Sequence, residues 1–124
     1  MGKKKSDIVV YCTSILKGDE GFYCVRAFKG DSVLFSLEGS ESYTKADRIS
    51  LIALKEAVVS IQEEGGLIYT DSDYALDYVK GGDHRKNKDV ARVMMEAMSR
   101  RIQVESVKNS DRRYRELKKE LSLR

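Results

Sequence analysis

The sequence predicts an α/β fold with a five-stranded mixed sheet, three strands antiparallel and then parallel ones, with helices on its faces. Three strand-length segments come first, at residues 8–13, 21–28 and 32–38. Two further strands are predicted at 67–70 and 102–106, with helical segments before, between and after them. In the resulting order, βββαβααβα, crossover helices connect an antiparallel meander to parallel strands.

The first three segments are assigned to strands on composition and alternation. IVVYCT is a continuous apolar run, whereas GFYCVRAF and SVLFSLE alternate in the manner of paired strands. Lys29, Gly30 and Asp31 supply the turn between the second and third segments.

The helices follow from 3.6-residue spacing and from their end signals. Residues 44–61 carry apolar side chains almost all round, which predicts a central, well buried helix. A second helix begins near Asp71 or Ser72 and ends at Gly81 and Gly82. Residues 90–97 have the spacing of an amphipathic helix, and residues 111–122 form a charged terminal helix.

Length and composition indicate a single domain over residues 7–124, preceded by a flexible basic leader at 1–6. The chain has 124 residues, and 41% of them are hydrophobic. No apolar run approaches the roughly 20 residues needed to cross a bilayer, so we expect a soluble intracellular protein. Cys12 and Cys24 lie in apolar segments without CxxC spacing, which predicts buried free thiols.

Positive charge is concentrated in the second half of the chain. Residues 67–124 hold 14 Lys and Arg against 10 Asp and Glu, while residues 1–66 hold 9 against 10. Such clusters can neutralise phosphates, although charged helices are also common as solvated faces. The candidate nucleic-acid contacts are Arg85, Lys86, Lys88, Arg92, Arg100, Arg101, Arg112, Arg113 and Arg115.

Four motifs, which occur in the same order along the chain as in the family, resemble the ribonuclease H family over roughly residues 7–122. The sequence YTDSDYA around Asp71 resembles the family's Y-[ST]-D-S-x-Y-[VA], and KNKDV at 86–90 resembles its K-N-x-D-L. Residues 102–108 resemble its last strand. Thr44, Arg48 and the following apolar run are similar to its central helix, with one extra residue before Arg48.

The resemblance implies hydrolysis of RNA in an RNA–DNA hybrid by two divalent ions, typically Mg²⁺, held by four carboxylates. Two cations beside a phosphate require several anionic ligands. Matched to the family's pattern, the four positions hold Thr13, Ser50, Asp71 and Arg115, so only Asp71 is retained. A guanidinium at the fourth position would repel Mg²⁺ and could take the place of the metal charge.

Three interpretations remain open at this stage. The first is a catalytically degenerate module that binds RNA–DNA hybrid or duplex RNA and requires no cofactor. The second is an active nuclease dependent on Mg²⁺ or Mn²⁺, in which displaced carboxylates assist Asp71; the candidates are Asp47, Asp73 and Asp111, with Glu116 as an alternative to Asp111. The third is a protein–protein adaptor on the same fold. Asp71 itself is either a metal ligand or a structural residue, in which case Asp71 or Ser72 caps the second helix.

Overall fold

The computed structural model describes residues 7–61, 65–82, 84–98 and 101–124, without the side chains of residues 97 and 98. The predicted leader at 1–6 lies outside the described residues. The elements in chain order are β1 (Ile8–Lys17), β2 (Glu20–Lys29), β3 (Ser32–Glu41), α1 (Ala46–Ser60), β4 (Leu67–Thr70), α2 (Asp73–Val79), α3 (Lys88–Met98), β5 (Gln103–Ser106) and α4 (Arg112–Ser122).

The five strands form one mixed sheet in the order β3-β2-β1-β4-β5. The β1–β2 and β2–β3 pairs are antiparallel, whereas β1–β4 and β4–β5 are parallel. The predicted fold class and element order are therefore confirmed.

The first two strands are longer than their apolar runs. β1 continues past Thr13 to Lys17, where it pairs with Glu20 of β2 across a turn of Gly18 and Asp19. Gly18 has a φ of 64°, a conformation that glycine adopts without steric cost. Strand pairing, rather than side-chain hydrophobicity, determines where β1 ends.

α1 is buried on most of its surface, as its apolar composition predicts. Its buried residues include Leu51, Leu54 and Val58, none of which exposes any surface. The helix packs on β1 and β2 and also contacts α2 and α3. The larger hydrophobic core lies between these three helices and one face of the sheet.

α4 covers the opposite face of the sheet. Leu117 and Leu121 are each 1% exposed and pack with Tyr11, Cys24 and Phe28 in a second, smaller core. Adjacent residues of β1 enter different cores because side chains alternate across a strand. Within the described ranges, no helix is both long and apolar enough to cross a membrane.

Both cysteines are free and buried, as the sequence predicts. Burial raises the pKa of the Cys24 thiol to about 11. Burial, and then the negative charge of Asp71, also raise the pKa of Cys12. Both thiols are therefore protonated at neutral pH.

Candidate functional site

Asp71 follows the last residue of β4, at the carboxyl end of the parallel β1–β4 pair. This edge of an α/β sheet is where ligand sites commonly form. The next residue, Ser72, caps α2, because its Oγ accepts a hydrogen bond of 3.1 Å from the backbone N–H of Ala75. The Asp71 side chain is 16% exposed and points to other partners.

Three donors converge on one oxygen of Asp71. Oδ2 accepts hydrogen bonds from the hydroxyl of Thr13 at 2.6 Å, the hydroxyl of Tyr114 at 2.8 Å and the ammonium of Lys118 at 3.2 Å. Burial raises the pKa of Tyr114, and its hydrogen bond to Asp71 raises the pKa further. The phenol therefore remains a donor throughout the neutral range.

Lys118 makes two more hydrogen bonds in the same cluster. Its Nζ donates to Thr13 Oγ1 at 3.1 Å and to the backbone oxygen of Ser14 at 2.7 Å. An ammonium has three N–H donors, and Lys118 has three acceptors including Asp71. We call Thr13, Asp71, Tyr114 and Lys118 the Asp71 cluster; it joins β1, the end of β4 and α4.

Ser50 and Arg115, the other two positions taken from the family pattern, do not bond to Asp71 in the described part of the chain. Ser50 is buried and its Oγ donates to the backbone oxygen of Asp47 at 2.8 Å, while it accepts from Ser72 Oγ at 2.9 Å. Arg115 is exposed on α4, so the cation that reaches Asp71 is Lys118.

Within the described residues, the candidate substitute carboxylates do not join Asp71 in a group of three that could hold a metal ion. Asp47 and Asp73 are exposed in the first turns of α1 and α2. Asp111 caps α4 by accepting from the N–H of Tyr114 at 3.2 Å, and it accepts from the hydroxyl of Tyr11 at 2.8 Å. Glu116 is exposed and pairs with Arg112 at 3.3 Å.

The donor set does not fit a two-metal centre. Across the described ranges, no three His, Cys, Asp or Glu side chains come together in a group that could hold a metal ion. Mg²⁺ and Mn²⁺ prefer several oxygen ligands with negative charge, and Asp71 is the one carboxylate of its cluster. The ammonium of Lys118 cancels that charge.

A second polar network joins α1 to the start of α3. The Arg48 guanidinium donates to Glu41 at 2.8 Å, to the side-chain oxygen of Asn87 at 2.9 Å and to Asp89 at 3.1 Å. Hydrogen bonding to Asp89, and then to Glu41, raises the pKa of Arg48. The same bonds lower the pKa of Glu41 and of Asp89.

Asn87 connects Arg48 to Tyr74 in this network. It has a φ of 55°, its backbone oxygen accepts from Val90 and Ala91, and its amide donates to the Tyr74 hydroxyl at 3.3 Å. The KNKD segment thus orients the basic turn before α3 and fixes it to α1.

The comparisons with known proteins agree with this architecture. No family model matches the chain, and no curated protein matches its sequence. Among solved structures, the chain is similar to the N-terminal RNase H domain of Rv2228c from Mycobacterium tuberculosis, solved as a fusion with maltose-binding protein. The TM-score is 0.75 at 15% identity, covering 89% of this chain and 94% of that chain. The protein has a ribonuclease H-like fold.

Among the predicted nucleic-acid contacts that are described in this ribonuclease H-like fold, Arg113 differs from the others in being half-buried. Arg113 is engaged: its guanidinium lies 4.1 Å from the centroid of the Phe28 ring and donates to the backbone oxygen of Gly30 at 2.9 Å. Arg100 lies outside the described residues. The other predicted contacts are exposed, namely Arg85, Lys86, Lys88, Arg92, Arg101, Arg112 and Arg115.

The outer face of α4 borders an open cavity of about 370 Å³. Its lining includes Arg112, Arg115 and Lys119, together with Glu116. These residues recur at intervals of three and four, so they form one stripe along the helix. Three cations against one carboxylate make the stripe positive.

Sequence reasoning missed Tyr114 and Lys118 as members of the site. Tyr114 lies three residues before Leu117, which is buried, and four residues before Lys118. That spacing is the available signal, because residues three and four apart share one face of a helix.

Proposed function

We propose that this protein is a catalytically degenerate ribonuclease H-like protein that binds nucleic-acid duplexes, either RNA–DNA hybrid or duplex RNA. The observation that carries the proposal is a contrast between two groups of charged residues. The Asp71 cluster holds one carboxylate, already paired with a lysine. In contrast, three basic residues of α4 and three at the turn before α3 are exposed, namely Arg112, Arg115, Lys119, Arg85, Lys86 and Lys88.

Five of the exposed cations are suited to phosphate contacts because their side chains are not bonded to other groups in the described part of the chain. Among the described residues, the side chains of Lys86, Lys88, Arg92, Arg115 and Lys119 form no hydrogen bond or ion pair. Arg112 pairs with Glu116, but both are largely exposed, so this pair is worth little. Arg113 is left out of the proposed interface because it is bound to Phe28 and Gly30.

Duplex binding of this kind depends on the phosphate backbone. Each neutralised phosphate releases counterions and makes the slope of log affinity against log salt more negative by about 0.9 for a B-form duplex. An A-form or hybrid duplex is read mainly by shape and by its 2′-hydroxyls, without base-specific contacts. We therefore expect salt-sensitive binding with little dependence on sequence.

Binding is tested by gel shift or fluorescence anisotropy with a labelled RNA–DNA hybrid over a series of salt concentrations. Arg115→Gln/Lys119→Gln should weaken binding and reduce the salt slope by about two phosphate equivalents. The matched control, Lys29→Gln/Lys45→Gln, removes the same charge from other elements and should retain the slope. No hybrid or duplex RNA binding by the wild type, even at low salt, would favour the protein–protein adaptor.

Catalysis is tested on the same hybrid with Mg²⁺ and then Mn²⁺, comparing the wild type with Asp71→Asn. We expect no cleavage by either protein. Cleavage by the wild type that disappears in Asp71→Asn would overturn the proposal in favour of the metal-dependent nuclease.

A further inference from the structure

Lys118 occupies the position from which a positive charge can neutralise Asp71. Its Nζ is 3.2 Å from Asp71 Oδ2, and its side chain is 36% exposed against 16% for Asp71. The same Nζ bonds Thr13 on β1 and the Ser14 backbone, so the ammonium connects β1, the end of β4 and α4.

We infer that the ammonium of Lys118 is a built-in substitute for a metal cation at Asp71, so that this centre assembles without a divalent ion and excludes one. The inference concerns the Asp71 cluster alone and does not rest on nucleic-acid binding.

The first argument for exclusion is electrostatic. Asp71 and Lys118 together carry no net charge, so nothing in the pair attracts a divalent cation. A metal ion bound to Asp71 would also lie beside an ammonium, and like charges at such separations repel strongly in a half-buried site.

The second argument is geometric. Mg²⁺ binds oxygen at about 2.0–2.1 Å and requires near-octahedral ligation. Oδ2 of Asp71 already accepts from Thr13, Tyr114 and Lys118. A metal ion at this oxygen would displace these donors, and its only carboxylate ligand from the cluster would be Asp71.

The third argument is that the donors of the cluster find their acceptors within the cluster or on β1. Lys118 donates to Thr13, Thr13 donates to Asp71, and Lys118 also donates to Asp71, which closes a ring of hydrogen bonds. Buried polar groups are stable when each donor and acceptor has a partner. The Lys118 ammonium is part of the chain, so it supplies the positive partner of Asp71 whatever the concentration of free metal ions.

The test compares two adjacent lysines of α4 by the same substitution. Lys118→Asp replaces the ammonium beside Asp71 with a second carboxylate, whereas Lys119→Asp makes the same charge change on the exposed face. Binding of Mn²⁺ is measured by electron paramagnetic resonance and by paramagnetic broadening of the amide signals of residues 71–73.

We expect the wild type and Lys119→Asp to show no broadening at residues 71–73, and Lys118→Asp to bind Mn²⁺ there at least about tenfold more tightly than the control. Equal Mn²⁺ binding at Asp71 by the wild type and Lys118→Asp would overturn the inference.

A second variant covers the case in which Lys118→Asp does not fold. Lys118→Met keeps an unbranched side chain one atom shorter and removes its charge, leaving Asp71 uncompensated. Its urea midpoint should fall below that of the wild type and should rise with millimolar Mg²⁺ at constant ionic strength, while the wild-type midpoint stays constant. A wild-type midpoint that rises with Mg²⁺ as much as that of Lys118→Met would contradict the inference. Absence of hybrid binding by the wild type, with these Mg²⁺ results unchanged, would instead contradict the proposed function and leave the inference standing.

Discussion

The hydroxyl of Tyr114 donates to Oδ2 of Asp71 over 2.8 Å, connecting the first full turn of α4 to the end of β4. Leu117 places this turn against the sheet, and Asp111 caps the helix one turn earlier. The position of Tyr114 therefore depends on a hydrophobic contact and a helix cap, and its hydroxyl in turn fixes the carboxylate.

Tyr114→Phe should destabilise the fold by about 1–3 kcal/mol, because it removes a hydrogen bond to a charged acceptor without changing the ring. The free energy of unfolding is measured by urea denaturation at neutral pH. Tyr43→Phe is the matched control: Tyr43 is 90% exposed, and its change should lie within about 0.5 kcal/mol of zero. Equal stability of Tyr114→Phe and the wild type would show that the Asp71 bond contributes nothing.

The Arg48 network predicts a loss of stability in acid. Hydrogen bonds from Arg48 lower the pKa of Glu41 and of Asp89, so the unfolded chain binds more protons than the folded protein at acidic pH. The stabilisation is fully present above the unfolded pKa values of about 4 and is lost as the pH falls through the lowered folded values.

Arg48→Met should therefore reduce stability at neutral pH and flatten the acid limb of a plot of urea midpoint against pH. Arg112→Met is the control, because Arg112 pairs with Glu116 at the surface, where side-chain exposures are 91% and 60%. Its acid limb should match that of the wild type. Parallel acid limbs for Arg48→Met and the wild type would contradict the assignment.

The sequence was sufficient for the order of elements and for Asp71 at a strand end. Apolar runs separated by Gly-containing turns define the strands, and α1 is identified by a nearly continuous apolar surface. The end of β1 was missed by four residues, because Ser14 to Lys17 are held by pairing with β2 and have no strand pattern of their own.

The members of the Asp71 cluster could be predicted only in part. α4 reads RRYRELKKELS, in which every turn offers a cation, and the family pattern pointed to Arg115. The helical phase set by Leu117 and Leu121 instead turns Lys118 inward. The spacing of Tyr114, Leu117 and Leu121 indicates that phase. The contacts of Lys118 with Thr13 and Asp71, however, are long-range, and a local motif does not contain them.

The N-cap of α2 provides a test of local structure next to Asp71. Ser72→Ala removes the acceptor for the Ala75 N–H and the hydrogen bond to Ser50, and should cost about 0.5–2 kcal/mol in unfolding free energy. Ser50→Ala removes the hydrogen bond to Ser72 but leaves the cap bond to the Ala75 N–H, so it should reduce the unfolding free energy by less. If Ser50→Ala is as destabilising as Ser72→Ala, the cap contributes little.

Gly39 of β3 leaves space for the ring of Tyr23, its partner on β2. A Cβ added at Gly39 would overlap the Tyr23 phenol group, and Tyr23 packs against the larger core. Gly39→Ala should therefore destabilise the fold by about 1–3 kcal/mol through displacement of that ring. In a Tyr23→Leu background the ring is absent, so Gly39→Ala should reduce the free energy of unfolding by much less. Urea denaturation of the four proteins in this double-mutant cycle measures the difference. Equal costs in both backgrounds would assign the effect of Gly39→Ala to the strand backbone instead of to the contact with Tyr23.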